Sequence, residues 1–246
     1  MCLILFSQNS HPDYKLVLAA NRDEFFERPT LPAHRWNNSS GIIAGKDLLA
    51  GGTWMGVNAT GRMAAVTNYR DLSVERKAKR SRGALVTELL STPNSSKHLD
   101  SLRTSNEYDG YNLLYWSGDR MQHLSNISNK VSSIENGIHG LSNHLLNTPW
   151  FKVEQGKQRM NDVLARSGDV LVEDLFKLLQ DNREGEESTL PETGLPKDLE
   201  KKVSAMFIRT ENYGTRCSTV LLVAKDGSVR FEERSYVPEA KAIFEL

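Results

Sequence analysis

This sequence of 246 residues contains little cysteine, no excess of charge of either sign and no long apolar run. Its two cysteines, Cys2 and Cys217, are too few for the disulfide framework of a small secreted scaffold. They read as free thiols in a reducing compartment. A single disulfide between them is the alternative, which spacing does not decide. Thirty-one Lys+Arg balance thirty-one Asp+Glu, so no global field steers the chain toward nucleic acid or membrane. A charge-driven partner has to meet a local patch. No segment reaches the ~18 apolar residues of a transmembrane helix. The apolar start Leu3-Ile4-Leu5-Phe6 is too short for a signal peptide and lacks a basic flank. No His/Cys/carboxylate group has metal-ligand spacing, and there is no Walker loop or nucleic-acid module. The expectation is a cytoplasmic protein with no integral membrane segment, no required cofactor, no metal and no nucleic-acid partner.

What is present fits a globular chain with a full core, 39% hydrophobic and 25% charged. Cys2 to Ser7 and Lys15 to Ala20 are apolar runs around a polar break, read as adjacent strands buried on both faces. The second delivers Asn21-Arg22-Asp23-Glu24 at its end. Residues 25–50 read as irregular, with Pro29, Pro32 and Asn37-Asn38-Ser39-Ser40 as loop signals. Gly51 to Asn58 reads as a turn and strand, and Arg62 to Thr67 as a strand ending at Asn68. Ala84 to Leu90 carries apolar residues at i,i+4 and reads as a helix. Tyr111 to Trp116 and Arg120 to Leu124 form a hairpin, and a strand near Ile138 to Leu141 leads to Asn143. Thr148-Pro149 reads as a helix start, and Asp169 as the cap of a second helix. Residues 181–200 read as a surface loop. Cys217 to Ala224 and Ser228 to Arg234 close the chain as a hairpin around Asp226-Gly227. Strands, two central helices and strands again, without β-α-β alternation, exclude a Rossmann-like sheet. The expected fold is α+β, one domain over residues 1–246, with mainly antiparallel sheet.

The chemistry gathers at the amino terminus. Methionine aminopeptidase removes Met1 when the next side chain is small, and cysteine qualifies. The product carries a thiol and an α-amine on one residue. An α-amine titrates near pH 7.7–8.0 and serves as a base near neutrality. Acyl transfer from an amide also needs a group to orient the ammonium and donors for the oxyanion. Asp23 suits the first task, Asn68 and Asn143 the second, and Arg216 can hold thiolate or substrate. Each has a plainer alternative: Cys2 as a small buried hydrophobe, the asparagines as turn formers, the arginine in a structural pair.

Met1-Cys2, Ala19-Ala-Asn-Arg-Asp-Glu-Phe25 with Arg28-Pro29, Gly51-Gly-Thr-Trp-Met-Gly56 and Ala65-Val-Thr-Asn-Tyr-Arg70 resemble the NRDE family. Its eukaryotic members are called Transport and Golgi Organisation protein 2. Ser81-Arg-Gly83, Gly140-Leu-Ser-Asn143, Thr148-Pro-Trp150, Tyr213-Gly-Thr-Arg216 and Ser218-Thr219 continue the resemblance in the same order. It implies an N-terminal-nucleophile (Ntn) hydrolase-like αββα sandwich of mainly antiparallel sheets. By similarity to cysteine-type Ntn hydrolases such as penicillin V acylases and bile-salt hydrolases, it gives Cys2 the nucleophile's place. Asp23 takes that of the aspartate near the amine, Asn68 and Asn143 those of the oxyanion asparagines, and Arg216 that of the distal arginine. The implied activity is hydrolysis or acyl transfer at a linear amide, or a thioester.

The family's connection with haem trafficking and with lipid or acyl-coenzyme A metabolism implies a second reading. There the same pocket carries an amphipathic anion, haem or an acyl-CoA, without turnover. Haem then enters as transported ligand. His34, His123, His139 and His144 are the histidines open to it, although no Cys-Pro pair or haem-attachment motif is present. Arg70, Arg76, Lys77, Lys79, Arg80 and Arg82 form the marked basic stretch, read either as a solvated loop or as an anion-facing lip beside Asn68. Arg22, Trp54, Arg70 and Arg82 are the expected ligand contacts.

Overall fold

The computed structural model describes residues 2–37, 41–74, 78–92, 95–103, 105–166 and 171–246. Two antiparallel sheets lie face to face. The first, in the order β10-β1-β2-β11-β12-β13, has six strands. They are β1 (Cys2–Gln8), β2 (Tyr14–Phe25), β10 (Gly137–Leu141), β11 (Tyr213–Ala224), β12 (Val229–Tyr236) and β13 (Glu239–Glu245). The second runs β3-β4-β5-β6-β7-β8-β9. Its strands are β3 (Thr30–Arg35), β4 (Ile43–Asp47), β5 (Met55–Val57), β6 (Met63–Asn68), β7 (Tyr111–Trp116), β8 (Met121–Ser125) and β9 (Lys130–Ser133).

Alternation along the strands builds the layers. Ile4, Phe6, Leu18, Ala20, Leu221 and Phe231 meet Ile43, Met55, Val57, Ala65, Leu114 and Trp116 between the sheets. The intervening residues Leu3, Leu5, Val17, Ala19, Val220 and Leu222 face helices α3 (Phe151–Ala165) and α4 (Leu171–Leu179). On the far side Ala44, Ala64, Val66 and Leu113 pack on α1 (Gly83–Ser91) and α2 (Ser95–Leu102). Each fully buried Leu, Ile or Phe contributes roughly 1.5–3 kcal/mol, so three apolar interfaces rather than helix propensity hold the stack. The result is the αββα sandwich expected of an Ntn-hydrolase-like chain.

Several local expectations are corrected. Strand β2 does not stop at Ala20 but runs through Asn21-Arg22-Asp23-Glu24 to Phe25, because its neighbours β1 and β11 pair with it over that stretch. Residues 25–50 hold two strands, β3 and β4, whose prolines and polar residues sit at the edge of the second sheet. Strands β9 and β13 and helix α2 have no counterpart among the expected elements. Helix α3 begins at Phe151, and Thr148 does not cap it: its hydroxyl donates to the Leu145 carbonyl. The expected cap Asp169 lies outside the described residues. Residues 181–200 are not a plain loop. They contain a 3-10 turn at Glu187–Thr189 and the start of α5 (Lys197–Lys202), whose Glu200 is buried.

One glycine controls how the second sheet meets its helix. A Cβ on Gly52 would lie 2.5 Å from the Gly83 carbonyl carbon, so only glycine lets the start of α1 seat on the loop before β5. That contact sets Arg82 at the open end of the sandwich, where the two sheets part.

Candidate active site

The register of the first sheet places Cys2 opposite Arg22, and Arg22 opposite Cys217. The three therefore share one face, which is the face that Ile4 and Ala20 turn toward the second sheet. At this end of the sandwich the apolar filling stops, and a cavity of about 480 Å³ opens. Cys2, Arg22, Trp54, Asn68, Arg82, Arg216, Cys217 and Glu233 are on its walls. Asp23, one residue along β2, points the other way. Its Oδ1 accepts a 2.7 Å hydrogen bond from Thr215 on the helix side of the sheet, although the cavity still reaches its edge.

Both thiols are free and buried. Burial pushes the Cys2 thiol up; the backbone N–H of Asp23 and the Arg22 guanidinium pull it down without prevailing. The Cys2 sulfur therefore rests as a thiol, which needs a base before it can attack. Cys217 is held further up, by burial and by the Glu233 carboxylate. Arg22 is 7% exposed. Its Nη2 stands 3.9 Å from Glu24, and its Nη1 has no hydrogen-bond partner among the described residues.

Beneath Asp23 the sheet meets α3, and Lys152 projects there. Lys152 is 2% exposed and its Nζ has no hydrogen-bond partner among the described residues. Burial lowers it to about 8 even though Asp23 attracts its charge. Burial likewise raises Asp23 although Lys152 opposes the shift. Both groups move toward neutrality, so desolvation outweighs attraction here. Sequence reasoning missed Lys152, although a signal exists: it stands at i,i+4,i+8 with Gly156 and Met160, on the inner stripe of α3. Glu233 was missed similarly. It follows Val229 and Phe231 at period two on the inner face of β12, and its Oε1 accepts the Ala33 N–H at 2.7 Å.

Asn68 ends β6 and is exposed on the cavity wall. Asn143 is fully buried, lines neither large cavity, and donates from its side chain to the Asn68 carbonyl at 3.0 Å. Its own carbonyl accepts the Arg70 N–H at 2.7 Å. Thr67 donates to the Ser142 carbonyl at 2.7 Å, and Ser142 donates to that of Cys2 at 3.0 Å. These bonds fasten the end of β6 to the end of β10 and to Cys2.

Arg216 reaches the cavity, but its guanidinium makes five hydrogen bonds to the carbonyls of Phe25, Phe26, Arg28 and Val237. The geometry gives it the task of holding the turn after β2. Arg82 donates to the Gly110 carbonyl at 3.2 Å and carries a charge that acts on Cys2. Arg70 does not form an open lip: it pairs with buried Glu200 and lies 4.8 Å over the Trp150 ring. Arg80 pairs with Glu88, and Lys79 is exposed on the cavity rim. Arg76 and Lys77 lie outside the described residues.

Beside the cavity runs a groove of about 790 Å³ lined by Phe25, Leu72, Val74, Leu195, Leu199 and Tyr213. The two share Glu24, Asn68, Arg82 and Asp109. Among the described residues no group of three or more His, Cys, Asp or Glu can hold a metal. His34 and His139 bond backbone carbonyls, His123 bonds Asn112, and His144 bonds Tyr69 and Thr148. No helix among the described residues is long and apolar enough to cross a membrane.

The family model for Transport and Golgi organisation 2 matches residues 1–238. The chain belongs to that family. It is 36% identical to the human Transport and Golgi organization protein 2 homolog, covering 96% of this chain and 93% of that protein. It is 28% identical to the Drosophila melanogaster Transport and Golgi organization protein 2, over 96% of this chain and 92% of the fly protein. Among solved structures, the Caenorhabditis elegans N-acylethanolamine-hydrolyzing acid amidase ortholog superposes with a TM-score of 0.52 at 11% identity. The superposition covers 90% of this chain and 92% of the amidase. That likeness concerns the fold, and it agrees with the Ntn-hydrolase-like layering.

Proposed function

We propose that the chain is a cysteine-type amidohydrolase or acyltransferase acting on a linear amide or thioester, with Cys2 as nucleophile. The observation that carries this is the alignment of Cys2 with Arg22 at the floor of a cavity whose rim presents Asn68. Once Met1 is removed, the α-amine of Cys2 takes the thiol proton and sulfur attacks the carbonyl carbon. The oxyanion is received by the Asn68 side chain, held in place by Asn143 behind it. The carbon–nitrogen bond then breaks, the leaving amine takes the proton from the α-ammonium, and a thioester remains on Cys2. Water, deprotonated by the same amine, releases the acid; a second amine in its place makes the reaction a transfer. Asp23 and Lys152 bracket the charge of the α-amine from the helix side.

Incubation with short- and long-chain acyl p-nitroanilides and thioesters, followed by intact mass, tests this. An acyl increment located on Cys2 and lost in Cys2→Ala is expected, with Cys2 alkylated by iodoacetamide faster than Cys217. Met1 retained on every molecule, or no faster alkylation of Cys2, overturns the proposal.

The groove beside the cavity favours a second reading, carriage of an amphipathic anion such as haem or an acyl-CoA without turnover. It offers an apolar wall of Phe25, Leu72, Val74 and Leu199 joined to a charged chamber through Arg82. Binding that saturates at one to one with no acyl-Cys2 distinguishes it.

A further inference from the structure

We infer that Arg22 forms a carboxylate subsite at the floor of the Cys2 cavity. The substrate would then be an N-acylated amino acid or a close analogue, with its acyl chain in the adjoining groove and its carboxylate on Arg22. This rests on the hydrolase reading and names its substrate class.

Arg22 holds an unused donor. Buried arginine donors are ordinarily satisfied, and an orphan is costly. Here Nη1 of Arg22 is buried without a hydrogen-bond partner among the described residues, while Nη2 stands 3.9 Å from Glu24. The neighbouring Arg216, on the same cavity, makes five bonds to carbonyls, so the local backbone has acceptors and Arg22 is directed away from them. Residues opposite one another in an antiparallel pair stand about 4.5–5.5 Å apart at Cα. Cys2 and Arg22 therefore extend side by side from adjacent strands into one chamber, so a single ligand can present a carboxylate to the guanidinium and a carbonyl carbon to the sulfur.

The charges around Arg22 permit an anion. Arg82 faces the same chamber from the second sheet's side. The acids there are Glu24, Asp23, Asp47, Asp109 and Glu233. Asp47 pairs with Arg28. Asp23 is turned to Thr215 and Asp109 acts on Arg82. Glu233 takes the Ala33 N–H and is pushed by burial toward its neutral form. Glu24 remains as the competitor, partly exposed and also 3.9 Å from Arg28.

Direction follows from the division of the two spaces. Cys2 and Arg22 line the cavity and not the groove; Phe25, Leu72, Val74 and Leu199 line the groove and not the cavity. A ligand that lies in both passes Asn68 and Arg82 at the junction. Its apolar end is outside and its anionic end inside, with the scissile bond between.

The test compares a straight-chain series of N-acylglycines with the corresponding N-acylglycinamides, by calorimetric binding and thermal shift at constant ionic strength. The expected result is that the carboxylates bind about ten-fold or more tightly, as a charge-assisted bond requires, and gain affinity with chain length. Arg22→Gln abolishes the preference. Iodoacetate gives a second readout that needs no variant: its rate at Cys2 relative to iodoacetamide exceeds that ratio for a cysteine peptide. Equal binding of acid and amide overturns the subsite, as does a preference untouched in folded Arg22→Gln. Selective binding of the acids with no alkylation of Cys2 by either reagent upholds the subsite and removes the hydrolase.

Discussion

Replacing Lys152 by methionine is expected to change how stability depends on pH. The ammonium projects from α3 into the buried layer beneath the first sheet, with Asp23 from β2, Cys2 from β1, Arg70 and Glu200 as its charged neighbours. The drop from the ordinary 10.5 to about 8 measures how much the fold disfavours the charged form. At ~1.4 kcal/mol per pH unit it amounts to about 3 kcal/mol. The sign follows from proton counting. Between pH 8 and 10.5 the unfolded chain keeps the lysine proton and the folded chain has released it, so stability rises with pH across that window. Below pH 8 the cost is fully present. Lys152→Met removes it but also deprives buried Asp23 of a cation, so a net gain of about 1–2 kcal/mol at about pH 7 is expected. That is an increase of roughly 2–8 °C in Tm. The sharper readout is the difference between the two proteins by urea denaturation from about pH 7 to about pH 10. The advantage of Lys152→Met should fall by roughly 2–3 kcal/mol over that range, so that the variant becomes the less stable protein near the upper end. Titration of Cys217 occurs in both and cancels; making both proteins in a Cys2→Ala background removes that of Cys2, whose charge acts on Lys152. Parallel pH profiles would refute the assignment of Lys152 as a buried charge.

The asparagines are expected to separate. Asn68→Ala lowers kcat on the order of 10²-fold with little change in Tm, whereas Asn143→Ala costs about 1–3 kcal/mol of stability, because it strands the Asn68 carbonyl; comparable kinetic and thermal effects in both would contradict the division. Arg216→Met is expected to cost ~3–5 kcal/mol in urea denaturation, since carbonyls at Phe25, Phe26, Arg28 and Val237 lose their donor. A fall in turnover with stability unchanged would instead return Arg216 to the reaction.

The apolar strands were legible because their pattern is local. Cys2 to Ser7, Tyr111 to Trp116 and the hairpin around Gly227 carry period and turn chemistry within a dozen residues. Strands β3, β4 and β13 were not, because they are edge or near-edge strands with polar outer faces, and only pairing across the sheet defines them. The site divided in the same way. Residue types that suit amide chemistry pointed to Cys2, Asp23 and Asn68. Which polar groups are already engaged by the fold is a matter of long-range contact. Arg216 meets a turn nearly two hundred residues earlier, with a sequence separation of 191 for its bond to Phe25, and Asn143 meets Asn68 across 75. No local pattern encodes either engagement.

The extension of β2 through the four polar residues does more than lengthen a strand. Had Asn21-Arg22-Asp23-Glu24 been a loop, each side chain would have been free to turn to one site. As a strand they alternate. Asn21 and Asp23 go to the helix layer, where Asn21 donates to the carbonyls of Leu179 and Met206 and Asp23 accepts from Thr215. Arg22 goes to the cavity with Cys2. One stretch of backbone thus supplies charge to both sides of the nucleophile: the carboxylate on the side where buried Lys152 lies, the guanidinium on the side where ligand enters. A one-residue slip would exchange them, placing Asp23 beside the sulfur and Arg22 among apolar helix residues. The register is secured by β1 on one side and β11 on the other, with Cys2 and Cys217 both opposite Arg22. The polar placement therefore depends on the apolar strands that flank it, and the two cannot be altered independently.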